Sequence, residues 1–230
     1  MAMLSKLLIN DYIAHYGITN KTVAVDCKKV SRADFDLKDM PSPFDVLSFG
    51  AGEFSLKGNN GSLEVVHYED FVNQCKKPLD FSCGRKRCDY ILCSADDGNE
   101  KLQHVMLVEI TSALGSVYNL RKPIIDKSGN VQFEGGKFEK GRVQLGESLR
   151  TLMDVPKIDS FFCGFENKQC LLSYRIKPYD NELTKISRPK KERYLKIEAA
   201  ETQGKGAVLA DKLINRYGFT FRRLGSYYKL

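Results

Sequence analysis

Two acidic residues set among apolar neighbours are the first candidates for chemistry. Asp89 stands near the start of the run Cys88-Asp-Tyr-Ile-Leu-Cys-Ser94, and Glu109 stands near the end of His104-Val-Met-Leu-Val-Glu-Ile-Thr111. Both runs are apolar at odd and even positions alike, which predicts strands buried on both faces. The polar loop Asp96-Asp97-Gly98-Asn99-Glu100 separates them. If that loop centres on Asn99, an antiparallel hairpin sets Ser94 beside His104 and Asp89 directly opposite Glu109. Cross-strand neighbours on one face lie about 5 Å apart. Two buried carboxylates at that distance repel, and a shared proton, a cation or a basic side chain must offset the repulsion. A divalent metal is the simplest of these, since Mg2+ takes one or two carboxylates together with waters and substrate phosphate. Such a site can generate hydroxide and stabilise the charge that builds up in phosphodiester hydrolysis. The competing reading leaves both acids solvated at strand ends, with the register slipped by one residue.

The order of these pieces also carries a resemblance. Cys-Asp-Tyr-Ile-Leu at 88–92, Val-Glu-Ile-Thr at 108–111 and a helix bearing Gln144-Leu145 are similar to the PD-(D/E)xK, or restriction-endonuclease-like, nuclease superfamily. The resemblance covers residues 80–176. It implies an α/β fold with a mixed central sheet flanked by helices, Mg2+ or Mn2+ as cofactor, and nucleic acid as substrate. It matches Asp89 and Glu109 to the two acidic residues of the motif, and Gln144 with Leu145 to the helix pair. Such folds often bring a third carboxylate from an upstream helix, and Glu69 is the best placed candidate here. One position departs from the pattern: the motif lysine falls on Thr111, which cannot supply positive charge. Either a basic residue from elsewhere substitutes, with Lys140 first because it lies one turn before Gln144 and Lys86 second, or the fold has lost catalysis. In the second case it serves as a nucleic-acid-binding or protein-interaction subunit. A protein-binding module aimed at an acidic partner is a separate class.

The elements that must position these residues are predicted as follows. Leu4, Leu7, Leu8, Tyr12 and Tyr16 share one face of an N-terminal helix that stops at Gly17. Strands are expected over 21–27, 44–49 and 62–68, with the segments either side of Gly58-Asn59-Asn60-Gly61 forming a hairpin. Residues 69–76 form a short helix. Region 112–137 holds no predicted element. A helix spans 138–153, weakened by Gly141 and Gly146. Strands over 158–165 and 170–176 are expected to form a second hairpin, followed by a polar connector, a helix over 207–217 and a strand over 219–224. The chain divides into an N-terminal accessory region (1–78), a nuclease-like core (79–177) and a basic C-terminal extension packed on the core (178–230).

The formal net charge of +7 over 230 residues is compatible with a polyanion partner without establishing one. Basic residues concentrate at 85–87, 188–193 and 216–229. The seven cysteines are an odd number and scattered, which fits reduced thiols in a cytoplasmic protein better than a disulfide framework. Cys83, Cys88 and Cys93 are evenly spaced but lack a C-x2-C pair, so they read as thiols rather than zinc ligands. No apolar run approaches the roughly 20 residues that a bilayer requires.

Overall fold

The computed structural model describes residues 3–75, 87–95, 103–114, 121–175, 189, 192, 204 and 206–230. The loop at 96–100, Lys86, Cys83 and most of the 188–193 basic run lie outside the described residues. Helix α1 begins as Met3–Leu7, passes through a π-helical turn, Leu8–Tyr12, and ends as Ile13–His15. Leu4, Leu8 and Tyr12 recur every four residues and are fully buried, which is the period of one helix face. The Glu64 carboxylate accepts from the first N–H groups, Leu4 at 3.0 Å and Ser5 at 2.9 Å, and satisfies donors that a helix start otherwise leaves open. Gly17 follows at φ +60°.

The remaining elements are β1 (Cys27–Val30), β2 (Phe35–Leu37), β3 (Phe54–Lys57), β4 (Leu63–His67), α2 (Tyr68–Gln74), β5 (Tyr90–Ser94), β6 (His104–Leu114), β7 (Ile124–Ile125), β8 (Val131–Phe133), α3 (Gly136–Met153), α4 (Pro156–Cys163), β9 (Asn167–Arg175), β10 (Ala207–Leu209), α5 (Lys212–Arg216), β11 (Thr220–Gly225) and β12 (Tyr227–Lys229). A seven-stranded sheet runs in the order β1-β4-β5-β6-β9-β11-β10, and β12-β3-β2 form a smaller one. The large sheet is mixed. β6 is antiparallel to β5 and parallel to β9, and β11 is parallel to β9. This is an α/β fold with a mixed central sheet and flanking helices. The sheet takes β1 and β4 from 1–78, β5, β6 and β9 from 79–177, and β10 and β11 from 178–230.

The two faces of the sheet build two cores. Ile91, Cys93, Val105, Leu107, Cys170 and Leu172 pack with residues of α1, α2, α3 and α4. The alternate residues Tyr90, Leu92, Met106, Val108 and Leu171 pack on Phe35, Leu37, Phe54 and Leu56 of the small sheet. The central strands are therefore covered on both sides, which is why their sequences show no polar alternation. Asp89 and Glu109 share the parity of Ile91 and Leu107 and so belong to the helix side.

Several expected elements differ. Residues 158–165 are helical in α4, not a strand. Pro156 takes a first-turn position, where its missing N–H is harmless, and Ile158 and Phe162, one turn apart, are buried. β9 therefore runs parallel beside β6 instead of closing a hairpin. No hairpin forms across 58–61 either, because β3 joins the small sheet and β4 the large one. Residues 44–49 contribute only a bridge from Leu47 to Asp36. The strand expected at 21–27 begins at Cys27, and the helix expected at 207–217 is β10 followed by α5. Region 112–137 carries the end of β6 and the β7–β8 ribbon. Among the described residues, no helix is long and apolar enough to cross a membrane.

Candidate metal centre

The β5–β6 register pairs Tyr90 with Val108 and Cys93 with Val105, and the Asp89 N–H donates to the Val108 carbonyl at 3.0 Å. The ladder ends at Tyr90, and Asp89 meets β6 through the Val108 carbonyl and lies with Glu109 in the lining of one pocket. The backbone and side chain of Asp89 are both committed. Its carbonyl accepts from the Tyr68 and Glu69 N–H groups at 2.9 and 3.2 Å, which fixes the start of α2 and brings Glu69 to the strand end. Its Oδ2 accepts from the Ile110 N–H at 2.6 Å.

Helix α3 is stitched to the same strand end. Gln144 Nε2 donates to the Arg87 carbonyl at 2.9 Å, and the Cys88 N–H donates to Ser148 Oγ at 2.7 Å. Lys140 is one turn before Gln144 on this face. Close approach of the helix depends on Gly141. A Cβ there would fall 2.5 Å from Leu172 Cδ1 and 3.3 Å from Glu109 Cγ. Gly141, which weakens this helix in isolation, thus lets it lie against the strand that carries Glu109, while Gly146 makes room for Leu213 of α5.

A fourth acidic residue, Asp39, arrives on the loop after β2. Tyr90 Oη donates to the Lys38 carbonyl at 2.8 Å, the Phe44 N–H donates to Asp26 Oδ2 at 2.9 Å, and the Asp39 N–H donates to Glu53 Oε2 at 3.3 Å. His67 stacks on Tyr90 with ring centroids 5.0 Å apart, and its Nδ1 lies 3.0 Å from Ser42 Oγ on the same loop.

These elements enclose a pocket of about 110 Å3 lined by Asp39, Glu69, Asp89, Glu109, Ile110, Thr111, Lys137, Lys140 and Gln144. The structure therefore brings together Glu69, Asp89, Glu109, Lys140 and Gln144 among the sequence candidates. Asp39, Lys137 and Arg87 were not anticipated. Arg87, from the basic run before Asp89, stands 3.5 Å from the Glu69 carboxylate. One ligand oxygen each from Asp39, Glu69 and Asp89 lies within 4.8 Å of the others. Opposed ligands of Mg2+ at 2.0–2.1 Å are about 4.2 Å apart, so a small side-chain adjustment suffices to bring the three onto one ion. Glu109 lies beyond that triad, and its Oε2 is buried with no hydrogen-bond partner.

Burial pushes both central carboxyls well above their ordinary range. For Asp89, the Ile110 N–H opposes the rise, while Glu69 and Asp39 add to it. For Glu109, the neighbouring Asp89 adds to it. Lys140 opposes both increases. A set of carboxylate oxygens without thiol or imidazole suits a hard cation such as Mg2+ or Mn2+. The buried, unpartnered Glu109 oxygen and the clustered acids are what a cation would satisfy. No protein-family model, curated protein or solved structure matches the chain.

Proposed function

We propose that this chain is a metal-dependent nuclease with a restriction-endonuclease-like core, hydrolysing phosphodiester bonds in nucleic acid. The observation that carries the reading is the joint placement of Asp39, Glu69, Asp89, Glu109 and Lys140 around one pocket, with Glu109 Oε2 buried and unpartnered inside the protein. Asp39, Glu69 and Asp89 would hold the cation, and Glu109 would reach it or its waters. Bound Mg2+ or Mn2+ supplies Lewis acidity and a water of lowered pKa. Lys140 provides the positive charge that Thr111 lacks, placed where it can stabilise a phosphate as negative charge grows. Gln144 holds α3 to the Asp89 strand and so keeps Lys140 over the carboxylates.

The test is cleavage of DNA and RNA by purified protein with Mg2+ or Mn2+, beside Asp89→Asn and Glu109→Gln. Both variants should lose cleavage while keeping the native circular dichroism spectrum. Cleavage that survives both substitutions would overturn the site. Thr111 in the pocket lining favours a second reading, a non-catalytic nuclease-like subunit. That reading predicts metal binding without turnover on any nucleic acid.

A further inference from the structure

The β7–β8 ribbon lies in sequence between the strand that carries Glu109 and the helix that carries Lys140. Ile125 and Val131 are direct cross-strand partners on it. Side chains so paired project from the same face. Both are open to solvent, 58% and 53% exposed, two of the four large apolar side chains exposed among the described residues. The ribbon is nonetheless anchored and shaped. Phe133 is buried at its base, and the Arg121 guanidinium lies 5.1 Å from the centre of the Phe138 ring. At the tip, Asp126 Oδ1 accepts from the Ser128 and Asn130 N–H groups at 2.8 and 2.9 Å. Arg121, Lys122 and Lys127 are exposed on the ribbon and outnumber its acids, Asp126 and Glu134. The pairing shifts between Ile124 and Ile125, so Gln132 is the extra residue of a bulge, exposed beside the apolar pair.

We infer that this ribbon docks in the major groove of B-form duplex DNA, with Ile125 and Val131 against the base edges and Arg121, Lys122 and Lys127 against the flanking phosphates. The inference rests on the nuclease reading, whose substrate class it names. A two-stranded ribbon fits a major groove about 12 Å wide, where aliphatic side chains meet the thymine methyl group and Gln reads adenine. The deep, narrow major groove of A-form RNA does not admit it. Single strands are held by aromatic platforms, and the exposed apolar side chains of this ribbon are aliphatic.

The experiment is equilibrium binding of the full chain, in EDTA, to a fluorescent mixed-sequence DNA duplex, to one of its single strands and to the matching RNA duplex. The wild type should prefer the DNA duplex. The double variant Ile125→Ser/Val131→Ser should lose roughly tenfold in duplex affinity with an unchanged salt dependence. Lys122→Ala/Lys127→Ala should weaken binding and lower the slope of log affinity against log salt by about 0.9 for each contact removed. All four positions are exposed, so the variants should keep the wild-type melting temperature. Equal affinity for the single strand, or full duplex affinity in the serine variant, would overturn the inference, as would binding of no nucleic acid at all. Cleavage with metal separates the two ideas. Ribbon-dependent binding without any cleavage removes the nuclease reading alone, and cleavage indifferent to the ribbon removes the docking inference alone.

Discussion

The carbonyl of Asp89 accepts from the N–H of Glu69 at 3.2 Å, so the backbone of one acidic residue fixes the helix start that presents another. This couples two candidate ligand positions 20 residues apart in sequence through the backbone alone. Four carboxylates then share one pocket, and the metal-free protein must tolerate their repulsion.

That repulsion gives the first prediction. Glu109→Gln replaces a buried carboxyl group, whose Oε2 has no hydrogen-bond partner and whose ionised form burial disfavours, with a neutral amide of the same shape. The metal-free variant should melt at or above the wild-type temperature, by up to a few degrees for a gain of about 1 kcal/mol. If Mn2+ raises the wild-type melting point through this site, the variant should keep part of that rise, because Asp39, Glu69 and Asp89 remain. A melting point several degrees lower in EDTA would show that Glu109 is structurally paired.

The pH dependence follows from the same pair. The folded carboxyls of Asp89 and Glu109 titrate above their unfolded values. The folded state therefore binds protons more tightly, and the stability this brings is complete below about pH 4 and is lost as pH rises toward the raised folded values. A cation competes with those protons, so its stabilising effect should grow as pH rises from the ordinary carboxylate range through the raised folded values. Melting curves across that range, with Mg2+ and with EDTA, read the difference directly. A shift independent of pH would mean the metal binds elsewhere.

Gly141 tests how the helix positions the site. Gly141→Ala gains about 1 kcal/mol of helix propensity, but its methyl would meet Leu172 at 2.5 Å. Overpacking of this kind costs about 1–3 kcal/mol, so a net loss of stability is expected. Because Glu109 Cγ lies 3.3 Å from the same methyl position, turnover should fall more than stability alone explains. Unfolding curves paired with cleavage rates separate the two effects, and an alanine variant that cleaves at full rate would show that α3 can shift freely.

The β5–β6 register was legible in the sequence because the length of the polar loop between two apolar runs sets it, and it brings Asp89 and Glu109 to the same pocket. Glu69, Lys140 and Gln144 could be named from motif order and helical spacing. Asp39 could not. It comes from a loop 50 residues before Asp89, and its place depends on Tyr90 reaching the Lys38 carbonyl and Glu53 meeting its own N–H. Residues 158–165 misled because a dense apolar run fits either a strand or a buried helix, although Pro156 marked the helix start. The apparent hairpin at 58–61 failed for a longer-range reason: β12, near the end of the chain, pairs with β3 and helps hold it in a different sheet from β4.

The departure from the resembling motif gives the last prediction. Thr111 and Lys140 line the same pocket, one from β6 and the other from α3. If Lys140 supplies the charge expected at position 111, Lys140→Ala should lower turnover by about 100-fold or more, the scale of losing one stabilising group. Metal affinity should be nearly retained, because the carboxylates remain. Removing Lys140 also removes an influence that opposes the raised carboxyl values, so the acid limb of the pH–rate profile should move to higher pH. Thr111→Lys added to Lys140→Ala returns a cation to the pocket from the neighbouring strand, and partial recovery of cleavage is the expected result. Thr111 is 8% exposed, so the double variant's fold must be checked by its melting curve. A folded, metal-binding double variant with no recovered cleavage would show that charge in the pocket is not what Lys140 provides. Full activity in Lys140→Ala alone would move the search to Lys137, which lines the same pocket.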